Sequence, residues 1–180
     1  MNMEIKNPTT ARITAPPDAK IERSGKIGPA ETVMSLDVGV YIAAGLSLVA
    51  ALVHLWVMPE HLAEWWGYGA FFLAAALVQG FFAVAILRWP DQRLAFAGVW
   101  TNLSIVLVYL LSRTSGLPVG PHAGVAEEAG VLDMTATASE VGVIILLVAL
   151  LGGAYRKFTV NALLLLGLAI WSLRLAGIIY

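Results

Sequence analysis

The sequence predicts an all-α membrane protein, a bundle of five transmembrane helices, and three observations carry that reading. Of 180 residues, 59% are hydrophobic and 13% charged, about half the charged share of a soluble domain. Mean hydropathy is +0.80, more apolar surface than a small soluble fold can hide, because small domains keep much of their surface in water. The apolar residues fall into five windows, each long enough for a hydrocarbon core of about 30 Å, which needs about 20 helical residues.

Residues 1–34 are polar, with mixed charge and four prolines (Pro8, Pro16, Pro17 and Pro29). They show no apolar period and read as a flexible tail. A signal peptide places its apolar region nearer the start, so the first span is expected to serve as an uncleaved anchor. Residues 35–180 form the five-helix domain. Its expected spans are Val38–Val57, Tyr68–Leu87, Leu94–Leu111, Met134–Ala154 and Val160–Ile179. The first three contain no Asp, Glu, Lys or Arg, whereas the fourth contains Glu140 and the fifth Arg174. Backbone groups in lipid must be satisfied within the segment, which favours helices. The alternation of a membrane barrel is absent.

Pro59, Trp89-Pro90 and Gly116-Leu117-Pro118 punctuate the chain, because proline cannot continue a helix and restricts the residue before it. Trp56, Trp65, Trp66, Tyr68, Trp89, Tyr109, Tyr155 and Tyr180 fall near span ends, as an aromatic belt does. No internal repeat is visible in the spans.

The eleven Lys and Arg are unevenly divided. Lys6, Arg12, Lys20, Arg23 and Lys26 in the tail, Arg88 and Arg93, and Arg156 and Lys157 fall on one side of the expected spans. Arg113 and Arg174 fall on or towards the other. This positive-inside bias places the N-terminus in the cytoplasm and the C-terminus, Tyr180, outside. Connections 58–67 and 112–133 are then external. The basic face suits anionic headgroups, and all three histidines lie towards the outer face. A net charge of −1 gives no field for nucleic acid. The absence of cysteine excludes disulfides, thiolate metal sites, iron–sulfur clusters and a cysteine nucleophile.

Ionisable residues inside a membrane face protein or a water-filled cavity. Glu140 and Arg174 stand equally far along the chain from Ala154 and Val160, the cytoplasmic ends of the last two expected spans. Both are expected about 21 Å from that end, so the hairpin of these spans predicts an ion pair. Gln79 and Asn102 likewise stand equally far from Leu87 and Leu94. They share a level about 12 Å deep and predict an interhelical amide bond. His54 and Tyr109 reach the Glu140 level. The layer of His54, Tyr109, Glu140 and Arg174 reads either as a satisfied hydrogen-bond network or as a site for a metal, haem, quinone or proton.

In the first external connection, Pro59 suits the first turn of a short helix on which His61 and Glu64 share a face. The piece reads as an interfacial turn or as part of a metal site with His122. No HExxH motif is present. The long connection Ser112–Asp133 carries His122, Glu127 and Glu128. It reads as a solvated connector or as a lid over the helix ends that brings His122 near His54 or His61.

The strings Glu64-Trp-Trp-Gly-Tyr-Gly-Ala-Phe-Phe72, followed by Gln79, and Ser112-Arg-Thr-Ser-Gly-Leu-Pro-Val-Gly-Pro121, followed by Asp133 and Glu140, resemble a group of small polytopic bacterial membrane proteins with no established activity. The likeness covers the first four spans and both external connections. It implies a bacterial inner-membrane placement and no site residue.

Three functions stay open. The first is a small accessory subunit of a membrane complex, holding a metal or redox ligand near its external face. Other membrane subunits or a second copy would then be its partners, besides lipid. The second is a transporter or proton-handling protein using Glu140, Arg174 and His54. The lack of repeats weighs against it. The third is a metal-dependent enzyme of the outer leaflet, with His61, Glu64 and His122 placing the metal. No catalytic residue is assigned, and a non-enzymatic role is favoured.

Overall fold

A computed structural model describes residues 29–177 of the chain, with side chains from Val38 onward. All regular structure among these residues is helical. α1 spans Pro29–Glu64, α2 Trp66–Arg88, α3 Gln92–Thr114, α4 Val131–Leu150 and α5 Gly153–Leu175. Each of the five is long and apolar enough to cross a membrane. Most of the segment read as a tail lies outside the described residues, as does Tyr180. α1 nevertheless begins at Pro29, within 1–34, where a proline suits the first helical turn.

Small residues set the spacing of the bundle. α1 turns Ala43, Ala44, Ser47, Ala50 and Ala51 inwards, and α2 answers with Ala75, Ala76 and Ala83, all buried. Helices bearing small residues approach closely and gain van der Waals contact. α1 packs most extensively on α2 and next on α4, which in turn packs on α3. Gly98 lies where α3 meets both neighbours, and a Cβ there would meet the Phe82 ring and come within 2.8 Å of Leu147 Cδ1. Phe82, Ile86, Ala95, Val99, Val143 and Leu147 fill the half of the bundle nearest the α2–α3 turn. Thr159 of α5 is a buried polar residue in the same half.

Three expected boundaries move. The connection 58–67 is almost wholly helical: Pro59 lies inside α1, and only Trp65 (φ −161°, ψ 133°) breaks the chain before α2. Proline removes one backbone donor from a helix, and α1 continues past it because its packing against α2 persists. There the Cα of Leu62 would lie only 2.6 Å from a Cβ at Gly69. At the other end of α2, Trp89-Pro90 ends the helix, and the Asp91 carboxylate caps α3 by accepting from Arg93 N at 3.1 Å, the usual work of an N-cap aspartate. α4 starts at Val131, where the Asp133 carboxylate accepts from Gly130 N at 3.0 Å.

The last correction has the largest consequence. The hairpin bend is not Tyr155–Thr159 but Leu151-Gly152, with Gly153 at φ +52°, a left-handed conformation that favours glycine. α4 therefore ends at Leu150, about one helical turn before the expected Ala154, which displaces every depth measured along it by about 6 Å. Among the described residues α5 packs against α3 and α4 alone, and lightly. Of its described residues only Thr159 is buried.

Candidate functional site

Glu140 is the centre of a polar layer at mid-bundle. Its depth follows from the observed helix ends, Leu150 for Glu140, Arg88 for Gln79 and Gln92 for Asn102. Measured from these, all three residues sit about 14–15 Å from the same end of the bundle. The two levels expected from the sequence are one. Gln79 Nε2 donates to Glu140 Oε1 at 2.9 Å and to Asn102 Oδ1 at 3.2 Å. Asn102 Nδ2 donates to Gly98 O at 2.8 Å, and Ser47 Oγ donates to Gln79 O at 2.9 Å. His54 Nε2 lies 2.9 Å from the same Glu140 Oε1. With Glu140 ionised that oxygen accepts from both Gln79 and the His54 Nε2–H. Glu140, Gln79 and Asn102 are each 1% exposed and His54 5%.

The expected Glu140–Arg174 ion pair does not form. Arg174 lies in the last turn of α5, about 32 Å from its start and far past the Glu140 level. It is exposed, and among the described residues the Glu140 carboxylate is held by His54 and Gln79 instead. Tyr109 stands about 10 Å beyond the layer, two turns on from Asn102 along α3. Its ring receives the Arg113 guanidinium at 5.3 Å.

Above the layer, on the side away from the apolar half-core, opens a cavity of about 350 Å³. His54 and Glu140 reach it at its inner end. Val53, Phe71, Phe72, Ile105 and Val108 line its walls. Phe72 packs near both imidazoles, its ring centroid 5.6 Å from that of His54 and 4.1 Å from that of His61. A pocket with apolar walls and a few converging polar groups is the usual form of a small-molecule site.

The connection between α3 and α4 folds over this cavity. Tyr68 Oη donates to Val119 O at 2.9 Å, and Gly120, at φ +94°, leaves no room for a Cβ beside that phenol. Gly124 N donates to Leu117 O at 2.8 Å and Glu127 N to Ser112 O at 3.1 Å. Leu117, Pro118 and Val119 thereby become part of the cavity lining. Arg113 fastens the base of the cover: Nη1 donates to Glu127 Oε2 at 3.0 Å and Nη2 to Asp133 Oδ2 at 2.6 Å. A more open recess outside it is rimmed by Glu60, His61, Glu64, His122 and Glu128.

The suggested metal ligands His61, Glu64 and His122 line one recess but hold different hydrogen-bond partners. His122 Nδ1 lies 2.8 Å from Glu64 Oε1, while His61 Nδ1 donates to Val57 O at 2.9 Å. Among the described residues no three His, Asp or Glu side chains converge as a metal set. His122 meets neither His54 nor His61 in a hydrogen bond among those residues. Sequence reasoning misses Ser47, Phe72 and the Arg113–Glu127–Asp133 cluster. For the last, the available signal is an Arg and an Asp closing a Gly/Pro-rich connection at its two ends.

No family model, curated protein or solved structure matches the chain.

Proposed function

We propose that the chain is a multi-pass protein of a bacterial inner membrane, its N-terminus cytoplasmic and its C-terminus external. Its α1–α4 core binds a small organic molecule from the external side. In that role it is a non-enzymatic membrane component, an accessory subunit or ligand carrier. The observation that carries this reading is the buried His54–Glu140 pair at the inner end of a largely apolar cavity. Its walls accept an apolar body, and the His–carboxylate pair supplies a hydrogen-bonding and proton-exchanging end.

The same geometry weighs against passage through the bundle. Below Glu140 the core is closed by Phe82, Ile86, Val99, Val143 and Leu147. A relay needs polar groups or water on both sides of its central carboxylate, and among the described residues the side below Glu140 is packed mainly with apolar side chains.

Two measurements test the reading. Because the chain has no cysteine, single cysteines can be introduced and labelled from one side of intact cells. Ser115→Cys is expected to react with an impermeant maleimide, and Arg156→Cys only after lysis. Native mass spectrometry of protein taken from polymer nanodiscs is expected to show a small-molecule adduct. Val108→Trp, which fills the cavity, is expected to lose it. An adduct retained by that variant, or no adduct in either protein, would remove the ligand-binding reading.

A further inference from the structure

The charge of the cavity points to the class of molecule it takes. Three carboxyl groups line it (Glu127, Asp133 and Glu140) against one guanidinium, Arg113. That guanidinium is already committed to Glu127 and Asp133, so among the described residues Glu140 has no cationic side chain of fixed charge beside it. Its neighbours are the imidazole of His54 and the amide of Gln79. Carboxylates also predominate outwards: Glu60, Glu64 and Glu128 rim the adjoining recess beside His61 and His122, and Arg113 is its one lining residue of fixed positive charge. An anion would meet carboxylates along its whole way in. A cation would be drawn in, because carboxylates over low-dielectric walls concentrate the field.

The walls suit a cation as well as the charge does. Phe71, Phe72, Trp65 and Tyr68 turn aromatic surface towards the cavity, and ring faces attract ammonium and guanidinium groups, most strongly when water is excluded. Tyr109 already does so with Arg113, at 5.3 Å. An aromatic enclosure ending in a buried carboxylate has a place for both parts of a protonated amine, the apolar body on the rings and the N–H groups on Glu140.

Resting on the ligand-binding reading above, we propose that the cavity binds a lipophilic organic cation, a protonated amine whose ammonium meets Glu140 and whose aryl or alkyl body lies against Phe72. Amine-bearing phospholipids fit less well, because the phosphate beside their ammonium would lie among the carboxylates of the mouth. The molecule is therefore a free amine and not a lipid headgroup.

Three water-soluble probes of nearly one shape test this: 3-phenylpropylammonium, 3-phenylpropan-1-ol and 3-phenylpropanoate, titrated calorimetrically into the full chain in nanodiscs at neutral pH. The ammonium is expected to bind about tenfold or more tighter than the alcohol, the spread that a desolvated ion pair with ring contacts gives. The carboxylate is expected to be weakest. Raising salt should weaken the ammonium alone. Glu140→Gln, which keeps an acceptor for His54 and Gln79, is expected to level ammonium with alcohol while the protein still elutes as a folded species. Phe72→Leu keeps the apolar wall without its ring, and is expected to reduce ammonium binding more than alcohol binding. If the alcohol equals or exceeds the ammonium, or the carboxylate binds best, the cationic class is overturned and the cavity remains a ligand site. If none of the three binds, both readings fall. Preferential binding that survives in both variants would overturn the assignment to this cavity.

Discussion

The imidazole of His54 and the carboxylate of Glu140 meet at 2.9 Å although 86 residues separate them in the chain. Their contact fastens α1 to α4 at the level where Gln79 and Asn102 join α2 and α3, so one buried carboxylate organises four helices. Removing one partner of a buried polar pair leaves the others desolvated and unpaired. Glu140→Ala is expected to destabilise the protein by about 2–3 kcal/mol on that ground, and Glu140→Gln by less than half as much. Unfolding in a denaturing detergent titration measures both. A loss for Glu140→Ala no larger than about 0.5 kcal/mol, the ordinary surface value, would mean that the layer does not bind the helices together.

The Gln79–Asn102 bond carries less. Interhelical hydrogen bonds in membranes average about 0.6 kcal/mol in double-mutant cycles. A cycle of Gln79→Leu and Asn102→Leu is expected to return a coupling of that order. A second cycle pairing Gln79→Leu with Glu140→Leu should return a larger one, because it removes a charge-assisted bond. Equal couplings would contradict the ranking.

Two arginines expected outside or near the outer end of the spans should differ sharply. Arg113 holds two carboxylates and is 16% exposed, whereas Arg174 is exposed on α5. Arg113→Gln is expected to loosen the α3–α4 connection, seen as faster proteolysis between residues 115 and 130 and a lower midpoint of unfolding. Arg174→Gln is expected to change stability by no more than about 0.5 kcal/mol, as surface substitutions do. A larger loss from Arg174→Gln than from Arg113→Gln would reverse the assignment.

At Gly98 the prediction is one of space. An added methyl would press on Phe82 and Leu147, and overpacking a filled core costs about 1–3 kcal/mol. Gly98→Ala is expected to fall in that range by the same titration, and Gly45→Ala, where nothing lies within 4 Å, to be neutral or slightly stabilising. Similar values at the two positions would show that α3 does not depend on close approach there.

The helical architecture is legible in the chain because its cause is local: a run of apolar residues in each helix long enough to cross a membrane. Boundaries are harder. Pro59 reads as a helix breaker, yet a long helix tolerates one missing donor where tertiary packing carries it on. Gly152-Gly153 is the true breaker of the last hairpin, while Tyr155, Arg156 and Lys157 draw the expected bend forward because they are polar. That misplacement alone produces the expected partner for Glu140. Once α4 ends at Leu150, residue spacing puts Glu140 level with Gln79 and leaves Arg174 out of reach. The cavity itself depends on which face each helix turns inwards, and on a connection that closes through Tyr68, Gly120 and Arg113. Neither can be derived from the spacing of residues within one span.

Everything that shapes the cavity comes from α1 to α4 and the cover between α3 and α4, while α5 lies against the bundle almost without burying a side chain. Among the described residues the last helix thus contributes nothing to the cavity lining. Chain shortened at Gly152 should retain the His54–Glu140 junction, and α5 could be exchanged, or used as a point of fusion to a reporter, without rebuilding the chamber it accompanies.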